Sequence, residues 1–150
     1  MPLNKTNKIL LGLFIATATL GFLDSVYLTT KYFVGTINCS ALSGCQEVLN
    51  SAYSNIWGIP TASFGVAYYL SIIIATLVYW QIQQKYSFKY LTLIPSLGFL
   101  FTLWLIYLQI WVIGFICIYC MFSALSSTIL FVLSLYFYHI NKKTDNSQTL

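Results

Sequence analysis

Four apolar stretches, each long enough to cross a bilayer, leave this chain little choice of fold. They run over residues 9–30, 61–80, 90–114 and 115–139. A helix needs about 20 mostly apolar residues to cross a hydrocarbon core of about 30 Å. Inside that core every backbone polar group must find its partner within the protein, which leaves helices as the natural way to span. The 150 residues are 59% hydrophobic and 7% charged, far below the roughly 25% charged residues of a soluble domain. The expected fold is therefore an all-α membrane protein, a four-transmembrane-helix bundle forming a single domain. The first stretch is interrupted by Asp24. A cleavable leader with Lys5 and Lys8 ahead of its apolar part is the alternative there. The apolar pattern resumes with Val26, Tyr27 and Leu28, which favours a span.

The net charge of +4 comes from seven lysines and no arginine. So small and dispersed an excess does not suggest nucleic-acid binding. Its use is topological. Lys5 and Lys8 precede the first span, Lys85 and Lys89 separate the second from the third, and Lys142 and Lys143 follow the fourth. Only Lys31 falls on the other side. The positive-inside rule then puts both termini and the middle loop in the cytoplasm, in a multi-pass protein of the inner (cytoplasmic) membrane.

This topology brings all four cysteines to the extracytoplasmic face, where disulfide chemistry is productive. Cys39 and Cys45 lie in the long polar loop, and Cys117 and Cys120 at the head of the last span. Three residues apart in a first helical turn, two thiols share a face. Helix N-terminal amides favour an anion such as a thiolate. The small residues between Cys39 and Cys45 allow a disulfide to close, and also allow one sulfur to swing to another partner, as exchange requires. Each pair has a plainer reading. Cys39 and Cys45 suit a structural disulfide, Cys117 and Cys120 suit helix packing, and four cysteines suit a tetrahedral zinc. No acidic or His cluster accompanies them, and His139 is expected at the opposite face, so no metal site is assigned. After Cys45, the residues Val48, Leu49, Ala52 and Tyr53 read as a short amphipathic helix over the bundle mouth.

Taken together, the residues resemble the vitamin K epoxide reductase family in its bacterial membrane form. The resemblance rests on Asp24-Ser25-Val26-Tyr27-Leu28-Thr29, on Cys39 and Cys45, on Ser51 six residues later, on Gly58-Ile59-Pro60-Thr61-Ala62 with Phe64-Gly65 and Tyr68-Tyr69, and on Cys117 to Cys120. It covers about residues 8 to 140. The other bacterial quinone-linked thiol oxidases place the closer pair first in the chain, the reverse of the order here.

The resemblance implies a membrane thiol:quinone oxidoreductase that supports disulfide formation in exported proteins. A separate extracytoplasmic thioredoxin-like protein would reduce Cys39–Cys45. Cys45 would then attack Cys117, and Cys120 would face a quinone of ubiquinone or menaquinone type. Ser51, Thr61, Phe64, Tyr68 and Ile113 are the residues it assigns to the quinone pocket. No thioredoxin-like domain is expected in the chain. Mammalian members carry Asn in place of Thr61 and Tyr in place of Ala124, which counts against vitamin K epoxide itself as the substrate. The alternatives are a quinone or vitamin K epoxide reductase, and a non-enzymatic membrane scaffold stapled by disulfides. Asp24 is a further candidate, because acids inside spans are expensive. Gln109, also inside a span, is expected to bond to a neighbouring helix. Trp57, Trp80 and Trp111 are expected near the interfaces.

Overall fold

A computed structural model describes residues 5–35, 48, 51, 53–82 and 85–147. Four long helices dominate it. They are α1 (Lys5–Val34), α2 (Thr61–Ile82), α3 (Lys85–Tyr107) and α4 (Ile118–Ser147). A six-residue π-helical segment, Leu108–Ile113, continues α3. All four helices are long and apolar enough to cross a membrane, α3 counting together with its π-helical extension. The chain is thus an all-α membrane protein. Cys39 and Cys45 lie outside the described residues, as does most of the short helix expected after them.

Helices α1 and α2 pack together, α2 meets α3, α3 meets α4, and α4 returns to α1. The bundle is therefore a ring of sequential neighbours. Its core is a stripe on each helix. On α1 the inward stripe is Leu11, Phe14, Ala18, Gly21, Ser25 and Leu28, with Leu10 buried beside it, and on α2 it is Tyr69, Ile72, Thr76 and Tyr79. Steps alternating between three and four keep one face inward. The outward faces are equally apolar, with Ile9, Leu20, Leu23, Ile74 and Leu100 exposed. In a bilayer such faces meet lipid, so apolarity alone draws no helix to another.

Close approach is what fits the helices together. A side chain at Gly21 would overlap the ring of Tyr69, and one at Gly98 would overlap the ring of Tyr68. A Cβ on Gly65 would stand 2.7 Å from the Ser25 hydroxyl oxygen. The neighbouring tyrosines of α2 thus key into glycines on opposite sides, Tyr69 into α1 and Tyr68 into α3. At the end of the bundle away from Cys117, Phe137 packs edge-on against Phe14 and Tyr79, with centroids 6.4 and 5.4 Å apart. At that same end Asn7 donates to Asn141 across 3.4 Å.

Before α2 the chain makes a small antiparallel hairpin, β1 (Asn55–Ile56) with β2 (Ile59–Pro60). Its tip, Trp57 and Gly58, has φ of 54° and 81°. Two positive φ angles give the strands the twist they need. Thr61 then opens α2. Its amide donates to the Ser54 carbonyl at 2.8 Å, and its hydroxyl reaches the Tyr53 and Ser54 carbonyls at 3.1 and 2.9 Å. Asn55 bonds to the Tyr32 hydroxyl of α1 at 3.2 Å, which ties the hairpin to the first helix.

The last span starts later than its apolar run. Gly114 adopts φ 72° and its N–H returns to the Gln109 carbonyl at 3.0 Å. That left-handed residue ends the preceding helix. Residues 114–117 form a short link, and α4 begins at Ile118 rather than at Phe115. Asp24 lies well inside α1, which continues ten residues past it to Val34, about 15 Å at helical rise.

The glycine contacts give a direct test. Gly21→Ala should destabilise the bundle by about 1–3 kcal/mol, because the pinned Tyr69 ring must move. Gly12, whose added Cβ would meet nothing, is the control: Gly12→Ala should be neutral or slightly stabilising. Thermal unfolding in detergent measures both.

Candidate functional site

The bundle encloses a cavity of about 360 Å³, bounded by all four helices and by the hairpin end of the polar loop. This falls in the range of small-molecule sites, about 300–1,000 Å³. Its walls are chiefly apolar and aromatic, including Leu28, Phe64, Leu97, Phe101 and Ile106. Cys120 opens onto it with a free thiol.

Helix α4 positions the sulfur chemistry. Cys117 immediately precedes the helix and accepts its first turn, with the Met121 amide donating to the Cys117 carbonyl at 3.0 Å. Its exposure is 0%, and it packs with Val48, Ile113, Tyr119 and Cys120. Cys120 is half-buried and sits in the first turn, on the cavity side. The two cysteines therefore differ in access. Cys120 faces the interior space, while Cys117 lies beneath Val48, a residue of the loop that carries Cys39 and Cys45.

The sequence-derived pocket residues Ser51, Thr61, Phe64, Tyr68 and Ile113 all line this one cavity, together with Cys120. Two of the three hydroxyls are already committed. Ser51 donates to the Val48 carbonyl at 2.7 Å, and Thr61 donates to the Tyr53 and Ser54 carbonyls. Each hydroxyl carries one hydrogen, so in this arrangement both offer the cavity lone pairs rather than a donor. The Tyr68 hydroxyl pairs with Ser127 at 3.3 Å.

Other lining residues were not assigned from sequence. Tyr69 donates to the Ser123 carbonyl at 2.8 Å and meets its hydroxyl at 3.0 Å. Cys120, Ser123 and Ser127 follow one another at steps of three and four and all line the cavity. They form a polar strip about 10 Å long on α4. That spacing was readable, but serines are frequent in this span. Ala124, on the same face, also lines the cavity.

Gln109 departs from its expected role. Its bond reaches the threshold of the next helix and not a side chain within a neighbouring span. Its Oε1 accepts from the Cys117 amide at 3.2 Å, bridging the π-helical segment to the start of α4. Asp24 is not in the cavity lining. Its Oδ2 is buried without a hydrogen-bond partner among the described residues.

The arrangement places a thiol able to form a disulfide against a confined apolar space, with aromatic walls and polar groups at intervals. A flat apolar ring fits such a lining. The access difference is testable on reduced protein in which Cys39 and Cys45 are replaced by Ala. N-ethylmaleimide should modify Cys120 about tenfold or more faster than Cys117, because alkylation of a buried thiol waits on local opening. Peptide mass spectrometry over a time course reads the two rates.

Comparison with known proteins places the chain. Residues 12–135 match the family model of the Vitamin K epoxide reductase family. No curated protein matches the chain.

Proposed function

The chain belongs to the vitamin K epoxide reductase family, membrane oxidoreductases that act on quinones, and from that premise we propose that it is a thiol:quinone oxidoreductase serving disulfide formation outside the cytoplasm. A thioredoxin-like dithiol protein delivers two electrons and two protons at the Cys39–Cys45 disulfide and leaves oxidised. Cys45, now a thiol, attacks Cys117 of a Cys117–Cys120 disulfide. Cys39 then closes on Cys45, freeing Cys117 and restoring the first disulfide. The resulting Cys117/Cys120 dithiol passes two electrons and two protons to the quinone. The disulfide re-forms and the quinol departs. Overall, one external dithiol becomes a disulfide and one quinone becomes a quinol.

The observation that carries this reading is the Cys120 thiol on the wall of an apolar cavity within the bundle. A lining this apolar favours a lipid-soluble acceptor over a water-soluble one. The difference in access between the two cysteines supports the same division of labour. Cys117, packed against Val48 of the loop, is the attacked sulfur, and Cys120 is the one that meets the acceptor. The lysine distribution supports a protein of the cytoplasmic membrane with both termini inside and the cysteines outside. Ala124 on the cavity wall leaves the site without the tyrosine that mammalian members carry there, which favours a plain quinone over an epoxide.

A thiol count tests the proposal. Fully reduced, purified protein is incubated with a short-chain ubiquinone or menaquinone and then alkylated. Quinone should consume protein thiols in pairs, and Cys120→Ala should prevent the loss at Cys117. Thiols that stay reduced in folded protein would exclude the quinone link.

A further inference from the structure

Gln109 stands where helical geometry gives way. It is the second residue of the π-helical segment, and such segments concentrate at functional sites. Its side chain is buried, with 5% exposure, and lines the same cavity as Cys120. Two of its groups are engaged in the break between the π-helical segment and α4. The main-chain carbonyl accepts from Gly114, and Oε1 accepts from the Cys117 amide.

The second bond fixes which way the amide faces. The Cys117 N–H is a donor, and only the carbonyl end of a glutamine can accept it. The NH2 group is therefore the end left over. It has no partner among the described residues. Its nitrogen is not among the buried atoms that lack a partner, so it is open to the cavity that the residue lines, where an acceptor can meet it. The Ser51 and Thr61 hydroxyl hydrogens are committed to backbone carbonyls. A hydroxyl can also turn away, whereas this NH2 is held in place by its own oxygen.

We propose that Gln109 is a quinone-binding residue: its NH2 donates to a carbonyl oxygen of the quinone while its oxygen holds the Cys117 backbone. This rests on the thiol:quinone reading above and deepens it. One planar amide then joins the acceptor to the segment carrying the Cys117–Cys120 pair. Electron density on the quinone oxygen rises as the ring is reduced, and a donor aimed at that oxygen strengthens with it. The glutamine transfers no proton. Both protons of the quinol come from the dithiol.

The test separates holding the turn from binding the acceptor. Gln109→Leu removes both functions, and Gln109→Asn keeps both groups on a shorter arm. Steady-state turnover is measured against a short-chain ubiquinone, with a reduced dithiol as electron donor. In parallel, reduction of the protein disulfides by the same dithiol is followed without quinone. Gln109→Leu should raise the quinone KM about tenfold, the loss expected for one hydrogen bond, and slow the quinone-free half-reaction by a clearly smaller factor, the part that comes from the lost hold on Cys117. Gln109→Asn should fall between Gln109→Leu and the wild type. A Gln109→Leu protein with unchanged quinone KM overturns the proposal. So does one in which the half-reaction slows as much as turnover, since the residue then only holds the turn. Wild-type protein that oxidises no thiols with quinone defeats the functional reading itself, an outcome distinct from either.

Discussion

Everything in this bundle depends on the interlock of tyrosine rings with missing side chains. Lipid is as apolar as the helix faces, so helices gain little by hiding leucines from it. What distinguishes the native arrangement is dispersion between surfaces that fit. The tandem tyrosines of α2 supply that fit in two directions, Tyr69 into Gly21 of α1 and Tyr68 into Gly98 of α3. The same two residues then turn their hydroxyls toward α4, at Ser123 and Ser127. Three interfaces thus converge on two adjacent side chains, and both border the cavity. Packing and site are one construction, because the rings that hold the helices together also bound the space they enclose.

The second element of the construction is the break between α3 and α4. A continuous helical hairpin would bury Cys117 within regular backbone. Instead the π-helical segment, the left-handed Gly114 and the Gln109 bridge deliver Cys117 to the threshold of α4 and Cys120 to its first turn. One sulfur lies under the loop and the other on the cavity. The asymmetry arises from where the helix begins, and it suits the two different partners proposed for the pair.

The sequence revealed the architecture more readily than the site. Apolar runs and sparse charge were enough for four spanning helices, since the bilayer sets their length. They could not say which face of each helix points inward, because Leu20 and Leu11 are equally apolar while only Leu11 is buried. Ser51, Thr61, Phe64, Tyr68 and Ile113 came from the family resemblance, not from periodicity, and they share one cavity wall. Gln109 was visible as a polar residue in a span, but its target was not. A bond to the Cys117 amide depends on a helical irregularity and a glycine turn that no regular period announces. Tyr69 stood in the family motif without a role, and Ser123 and Ser127 were hidden among many serines, where type alone does not discriminate.

The hairpin before α2 carries a tension of its own. Trp57 sits at its tip with φ 54° and 99% exposure. A non-glycine residue in that conformation costs about 1–2 kcal/mol, and Asn or Gly would hold the same turn more cheaply. An indole belongs to the headgroup layer of a bilayer. The hairpin is anchored at its base to α1 through Tyr32 and to α2 through Thr61. An indole that reaches the headgroups from this tip is therefore a float fixed to the rim of the cavity. Whatever displaces that exposed tip acts, through two hydrogen-bonded joints, on helices that border the cavity.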